Sequence, residues 1–297
     1  MHPILLDFGW HDMPLWGRLH LYIGTYGIFF AAAAALGWIV WMKVARRDGL
    51  DTAALLDLGF FALISGLVGS KLGLILLDPG YFLSDLRALL WVLRAAGILL
   101  FGVVAALVTI IVYCRRHGLP LWKVLDSAAP ALALGQAIGR LGCFAAGCCY
   151  GTPAPGLPWG VCFTDPAAAQ ISGTPLCDPD APGGAAGLLH PTQLYQASAD
   201  FALFGLLYVL SRRARLAEGL RALTFIILYS ISRGLLEFLR GDLERGVWPV
   251  PGTSLALSTS QLLSVAGLVY SIWAWPRLRR RARETEAAPA PRRRTKR

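Results

Sequence analysis

Apolar residues fill this chain in long runs, broken by short stretches that gather Arg, Asp, Gly and Pro. At a rise of about 1.5 Å per residue, a run of about 20 apolar residues crosses a bilayer core as one helix. Seven such runs stand at roughly 20–42, 52–77, 95–114, 122–148, 191–211, 221–240 and 258–276. They predict an all-α, polytopic membrane protein with seven transmembrane helices and no soluble domain. The expected organisation is one seven-span domain over 1–276, with an outer loop at 151–189, and a basic disordered cytoplasmic tail at 277–297. No Ala-x-Ala-like cleavage site follows a short apolar core near the start, so the first span is expected to be retained.

Positive charge sets the orientation. Most of the 28 Lys and Arg residues follow spans one, three, five and seven: Lys43, Arg46 and Arg47; Arg115, Arg116 and Lys123; Arg212, Arg213, Arg215 and Arg221; and the tail. Basic loops stay on the cytoplasmic side, which puts the N-terminus outside and the C-terminus inside. Composition agrees with a membrane class, with 56% hydrophobic residues, 15% charged residues and a mean hydropathy of +0.54. The net charge of +10 excludes little else, because it is spread over loops flanking spans. A nucleic-acid partner would need that charge gathered on one folded face, and none is expected. The Arg-rich tail is expected beside anionic lipid head groups.

Against this apolar background the polar positions stand out. Trp10, Trp16, His2, His11 and Asp12 precede the first span, where Trp anchors at the outer interface; no ligand spacing recurs there, and no metal is expected. Lys71 breaks the small-residue face Ser65 to Gly73 and either snorkels outward or lines a cavity. The segment Tyr81 to Arg94 reads as an amphipathic piece on the membrane surface. Trp159 to Phe163 reads as a short strand in the outer loop, and Asp178 to Gly184 as turns.

Arg140 in GRLGCFAAGCCYG (139–151) is the costliest residue in the pattern. A charge at the bilayer centre costs about 2.5–3.5 kcal/mol on insertion scales, so such a residue faces a polar cavity and serves a ligand. Gly139 and Gly142 beside it permit close approach of a neighbouring helix or of a ligand. At the head of span five, His190, Gln193 and Tyr195 belong to HPTQLYQ (190–196), with the first two on one face directed toward Arg140 and His190 as the helix cap. In span six, Tyr229, Arg233, Glu237 and Arg240 fall within an arc of about 80°. Two readings stand for that stripe: an Arg233–Glu237 ion pair joining helices, or a second guanidinium that clamps an anionic group with Arg140. A phosphate reached from within the bilayer belongs to a phospholipid.

Five of the six cysteines, at 143, 148, 149, 162 and 177, fall in or beside the outer region. In an oxidising compartment, Cys162 with Cys177 would staple the long loop, while the pairing of Cys143, Cys148 and Cys149 stays open. Their spacing is not the CxxC pairing of zinc sites, nor that of a thiol oxidoreductase, which remains a further class of function for this trio.

The motifs GRLGCFAAGCCYG, HPTQLYQ, YSISRGLLEFLRGD (229–242) and STSQLLS (258–264), in that order on seven spans, resemble the prolipoprotein diacylglyceryl transferase family. The resemblance implies transfer of a diacylglyceryl group from phosphatidylglycerol to the thiol of the lipobox cysteine in a prolipoprotein signal peptide, forming a thioether. It implies a multi-pass protein of the bacterial inner membrane whose partners are phosphatidylglycerol, other membrane lipid and the prolipoprotein, with no cofactor. Arg140 matches the signature arginine that holds the lipid phosphate, Arg233 the arginine of the sixth span, and Tyr26, Tyr229 and Glu237 also match family positions. Cys143, Ala146 and Cys148 stand where the signature has Asn, Asn and Glu. Phe101 stands where the family has a histidine, and Gln196 where it has Glu. A phenyl ring accepts no proton, which leaves His190 as the expected base for the thiol, since histidine titrates near neutrality. The expected catalytic set is His190, Arg140 and Arg233, with Tyr26, Gly139, Gly142, Gln193, Tyr195, Tyr229, Glu237 and Arg240 binding substrate. The departures favour, as the alternative, a diverged relative that binds phospholipid without this transfer or uses another acceptor.

Overall fold

The computed structural model describes residues 2–13, 17–83, 89, 92, 97–177, 187–213, 216–241, 247–249 and 256–287. In chain order the elements are β1 (Ile4–Met13), β2 (Gly17–Gly24), α1 (Thr25–Arg47), α2 (Thr52–Leu77), α3 (Pro79–Phe82), α4 (Leu99–Arg116), α5 (Leu121–Ala146), α6 (Pro166–Ser172), α7 (Thr192–Arg213), α8 (Leu220–Leu236), β3 (Val247–Pro249), β4 (Ala256–Ser258) and α9 (Thr259–Ala287). A single 3₁₀ turn, Glu237–Leu239, extends α8.

The long helices α1, α2, α4, α5, α7, α8 and α9 lie over the seven apolar runs. Among the described residues, five stretches are long and apolar enough to cross a membrane: Thr25–Arg47, Thr52–Leu77, Leu99–Arg116, Thr192–Arg213 and Leu220–Leu239. Outside that set, α5 carries Lys123, Asp126, Gln136 and Arg140, and α9 ends in Arg277, Arg279, Arg280 and Arg281. Large apolar side chains stand exposed along the helices, among them Phe60, Phe61, Val104, Val108, Leu206, Leu235, Val269 and Ile272. Exposed apolar faces on helices that satisfy their own backbone hydrogen bonds suit hydrocarbon as solvent.

Two small sheets, β1-β2 and β3-β4, correct the all-α expectation, and a helix corrects the expected disorder of the tail. The opening residues form the two-stranded sheet β1-β2, and α1 begins at Thr25 instead of residue 20. Arg18, His20 and Tyr22 alternate with Leu19, Leu21 and Ile23, a period of two that favours a strand over a helix. At the other end α9 continues to Ala287, so residues 277–287 are helical where disorder is expected. Arg, Ala and Glu are good helix formers once a helix has been nucleated upstream. Residues 288–297, most of the amphipathic piece 81–94, and the turns of 178–184 lie outside the described residues.

The chain divides into two compact units, one of Leu5–Ile23 and Trp41–Val124, the other of Met1–Ile4, Gly24–Val40 and Leu125–Arg297. In the first, α2 starts on an Asp51 cap, whose carboxylate accepts from the Ala53 N–H at 2.9 Å. It packs on α4 through small residues. A Cβ on Gly69 would stand 2.4 Å from that of Ala105, and one on Gly102 would stand 2.8 Å from the Gly66 carbonyl oxygen. Glycine therefore sets how closely the two helices approach. Phe101 fills the space over Gly73. In the hairpin His20 Nε2 meets Asp7 Oδ1 at 2.7 Å, and His11 meets the Phe8 carbonyl at 2.9 Å.

The second unit holds α5, α7, α8 and α9. Ala129, Ala133, Leu203 and Leu207 are buried where α5 meets α7, and Phe204, Phe225 and Tyr229 close over them. Asp126 on α5 caps α8: its two carboxylate oxygens accept from the N–H groups of Gly219 at 2.7 Å and Ala222 at 2.8 Å. A carboxylate there also meets the positive end of the helix dipole. The loop after α5 folds on its own small core of Tyr150, Phe163 and Leu189. Val161 pairs with Leu189 as an isolated bridge, in place of the strand expected at 159–163. Cys162 and Cys177 form a disulfide with their Cα atoms 5.5 Å apart.

Candidate active site

Three elements of the second unit converge on the stretch 139–151. The end of α5 carries Gly139, Arg140, Gly142 and Cys143. The head of α7 ties down the turn that follows: Gln193 Nε2 donates to the Cys148 carbonyl at 2.8 Å, and Thr192 Oγ1 donates to the Cys149 carbonyl at 2.9 Å. The end of α8 closes the third side, where Gly151 pairs with Arg240 and the Gly241 N–H donates to the Tyr150 carbonyl at 3.1 Å. Gly151 is required by this meeting, since a Cβ there would stand 2.5 Å from the His190 Cβ and 2.9 Å from the Leu239 carbonyl oxygen.

Within this frame the arginines gather. Arg140 lies within electrostatic reach of Cys149, Cys143, Tyr229 and Asp200, and Arg233 within reach of Arg240, Arg140, Glu237 and Tyr229. Arg233 Nη2 lies 2.6 Å from Glu237 Oε2 and 3.3 Å from Ser260 Oγ. Arg240 Nη1 lies 4.0 Å from the same Glu237 oxygen. The ion-pair reading of the α8 stripe is present: Glu237 pairs with Arg233, which also lies within electrostatic reach of Arg140. Among the described residues Arg140 has no hydrogen-bond or ion-pair partner. A guanidinium forks five donors toward carboxylate or phosphate, and three guanidiniums against Glu237 and Asp200 leave net positive charge.

Tyr26, on the first turn of α1, lies against α5 at Gly142: a Cβ on Gly142 would stand 2.7 Å from Phe29 and 3.4 Å from the Tyr26 ring. Gly139 has open space beside it. Of the two roles expected for these glycines, Gly142 serves helix approach and Gly139 leaves room. Tyr229 stacks on Phe225, with ring centroids 5.6 Å apart.

The head of α7 departs from expectation. The helix begins at Thr192, whose N–H donates to the His190 carbonyl at 2.8 Å, while the Pro191 carbonyl accepts from Leu194 at 2.9 Å and Tyr195 at 3.1 Å; the His190 side chain caps none of these groups. His190 stands outside the helix, where its backbone pairs with Gly151 and Thr152. Its Nδ1 meets the Tyr195 hydroxyl at 3.4 Å, and that hydroxyl accepts from Trp159 Nε1 at 2.8 Å. His190 and Tyr195 thus face each other and Trp159 of the loop after α5, while Gln193 reaches the cysteine turn.

Two features escape the sequence pattern. Asp200 is fully buried one turn beyond Gln196 and accepts its amide at 2.9 Å, and its Oδ2 has no hydrogen-bond partner among the described residues. Its charge acts with those of Arg140 and Arg233. The signal was the spacing Gln193, Gln196, Asp200, which marks one polar face on an otherwise apolar run. The second is the gathering of Cys143, Cys148 and Cys149, whose sulfurs all lie within 4.8 Å of one another.

With this geometry in place, residues 15–277 match the family described as prolipoprotein diacylglyceryl transferase. The chain belongs to that family. Curated relatives include the phosphatidylglycerol–prolipoprotein diacylglyceryl transferases of Clostridium tetani, 31% identical over 85% of this chain and 92% of the relative, and of Finegoldia magna, 31% identical over 83% and 88%. That of Chromobacterium violaceum is 30% identical over 92% of this chain and 95% of its own length. Membership of the diacylglyceryl transferase family agrees with the resemblance drawn from the motifs. The match covers α1 to α9 and all three elements that build the arginine cluster.

Proposed function

We propose that this protein is a phosphatidylglycerol–prolipoprotein diacylglyceryl transferase, which moves the diacylglyceryl group of phosphatidylglycerol onto the lipobox cysteine thiol of a prolipoprotein. The carrying observation is Arg140, a partly buried guanidinium with no protein partner among the described residues, facing Arg233 beside Glu237. A lipid phosphate diester supplies the anion that Arg140 lacks. Arg140 and Arg233 bind it and stabilise the charge that grows on it as the carbon–oxygen bond to the diacylglyceryl group breaks. Glu237 holds Arg233 and Arg240 in place, and Tyr26, Tyr229, Gly139, Gly142, Gln193 and Tyr195 shape and line the lipid site. His190 accepts the thiol proton. The thiolate attacks the glyceryl carbon, the thioether forms, and glycerol phosphate leaves with the electron pair.

This reading includes seven membrane-spanning helices, with α5 and α9 crossing beside the five most apolar ones. It also places the N-terminus outside and the protein in a bacterial inner membrane. Purified protein with labelled phosphatidylglycerol and a lipobox peptide tests the reaction. A thioether product is expected; its absence, or full activity in Arg140→Ala, overturns the assignment.

A further inference from the structure

We propose that Cys143, Cys148 and Cys149 form a three-thiolate site for a soft divalent cation of the zinc class, and that its open fourth position takes the acceptor thiol. The proposal rests on the transferase reading for the identity of that thiol, though not for the metal site itself.

The geometry carries it. Cys143 comes from the last turns of α5, and Cys148 and Cys149 from the turn that follows; their sulfurs lie within 4.8 Å of one another and are partly buried. Sulfurs bound to one zinc at about 2.3 Å stand roughly 3.8 Å apart in a tetrahedron, so closing on an ion needs shifts of about 1 Å. The turn is held for this. Gly147 and Cys149 both adopt positive φ, 78° and 59°, which folds the two later cysteines back toward the helix end. Gln193 and Thr192 fix the carbonyls of Cys148 and Cys149 from α7. The Gln193 amide is 1% exposed, and its Oε1 has no donor among the described residues.

Charge agrees with geometry. Three thiolates on a divalent ion carry a net charge of −1, and the charges of Arg140 and Arg240 both act on Cys149. The two arginines offset the charge of the complex. Three protein ligands with one open position is the arrangement of catalytic zinc, as distinct from the closed four-ligand sites that serve structure.

The chemistry follows from the reaction. Alkylation of sulfur needs thiolate, and coordination to zinc deprotonates a thiol outright. The acceptor thiol binds the open position and its proton passes to His190. Metal-held thiolate then attacks the glyceryl carbon; the carbon–sulfur bond forms as the carbon–oxygen bond to phosphate breaks, and glycerol phosphate leaves with that electron pair. The metal changes no oxidation state.

The test uses full-length, reduced protein in detergent, with Zn(II) and Co(II) as probes. About one zinc per chain is expected, along with thiolate-to-cobalt charge-transfer bands after exchange. Cys143→Ser and Cys149→Ser are expected to weaken binding about tenfold or more, while Cys148→His retains it with an altered spectrum. A lipobox peptide ending the cobalt sphere with a fourth sulfur strengthens the charge-transfer band, and the same peptide with Ser for Cys does not. Cobalt binding no tighter than in the triple serine variant overturns the site. So does a disulfide within the trio, found by mass mapping of protein isolated without reductant. Bands indifferent to the Cys peptide overturn thiol activation. Metal and peptide binding without any thioether product sinks the transferase reading and leaves the site standing, whereas transfer unaffected by metal removal does the reverse.

Discussion

Arg233 Nη2 stands 2.6 Å from Glu237 Oε2, one helical turn further along, and the two side chains are only 11% and 2% exposed. At such burial the pair is a commitment: each charge was taken from water and is tolerable only with the other in place. Glu237→Leu is therefore expected to cost about 3–5 kcal/mol of stability by stranding Arg233, whereas Arg233→Met with Glu237→Leu costs much less. Thermal unfolding of the three proteins in one detergent checks this. Equal losses in the single and double variants would show that the pair is not the source of the effect.

Arg140 predicts the opposite balance of stability and activity. It has no protein partner to lose among the described residues, so Arg140→Ala should leave the unfolding temperature nearly unchanged. Transfer should fall by about 10²–10³-fold, the scale for removing one donor from a site of developing negative charge. Arg140→Lys keeps the charge and loses the fork, and should recover only part of the rate. Initial rates at varied phosphatidylglycerol measure both.

The disulfide between Cys162 and Cys177 closes a 15-residue separation in the loop that packs on Phe163 and Leu189. Loop-closure entropy puts its contribution at about 3 kcal/mol. Reductant should lower the unfolding temperature of the wild type and leave that of Cys162→Ala with Cys177→Ala unmoved.

Asp126 is 1% exposed and accepts two N–H groups at the start of α8. Asp126→Ala leaves both donors without their acceptor and is expected to destabilise by about 2 kcal/mol, with Asp126→Asn milder because one oxygen remains to accept. Hydrogen exchange at Gly219 and Ala222 should accelerate in the alanine variant. Unchanged protection at both amides would remove Asp126 as the cap.

Asp200 lies in the same polar layer as the arginines, fully buried, and is bonded through Oδ1 to Gln196. Asp200→Asn keeps that bond and removes a charge that acts on both Arg140 and Arg233. Looser control of the two guanidiniums should raise the KM for phosphatidylglycerol more than it lowers kcat. A fall in kcat alone would assign Asp200 to the chemical step instead.

The sequence by itself determined the elements that one-dimensional periodicity controls. Apolar runs of spanning length give the long helices, because a helix satisfies its own backbone and needs no distant partner. The cost of a charge in such a run marked Arg140 and the stripe Tyr229, Arg233, Glu237 and Arg240, and motif order gave the family. What required the tertiary structure was every relation between elements distant in sequence. That Asp126 caps a helix 93 residues away, that Arg140 comes within electrostatic reach of Arg233, and that His190 turns to Tyr195 while Gln193 reaches Cys148 are consequences of how α5, α7 and α8 pack. The cysteines make the point most directly. Their spacing is not that of a usual zinc motif. The positive-φ turn at Gly147 and Cys149, tied down by Gln193 and Thr192 of α7, folds the chain back onto the end of α5 and gathers the three sulfurs.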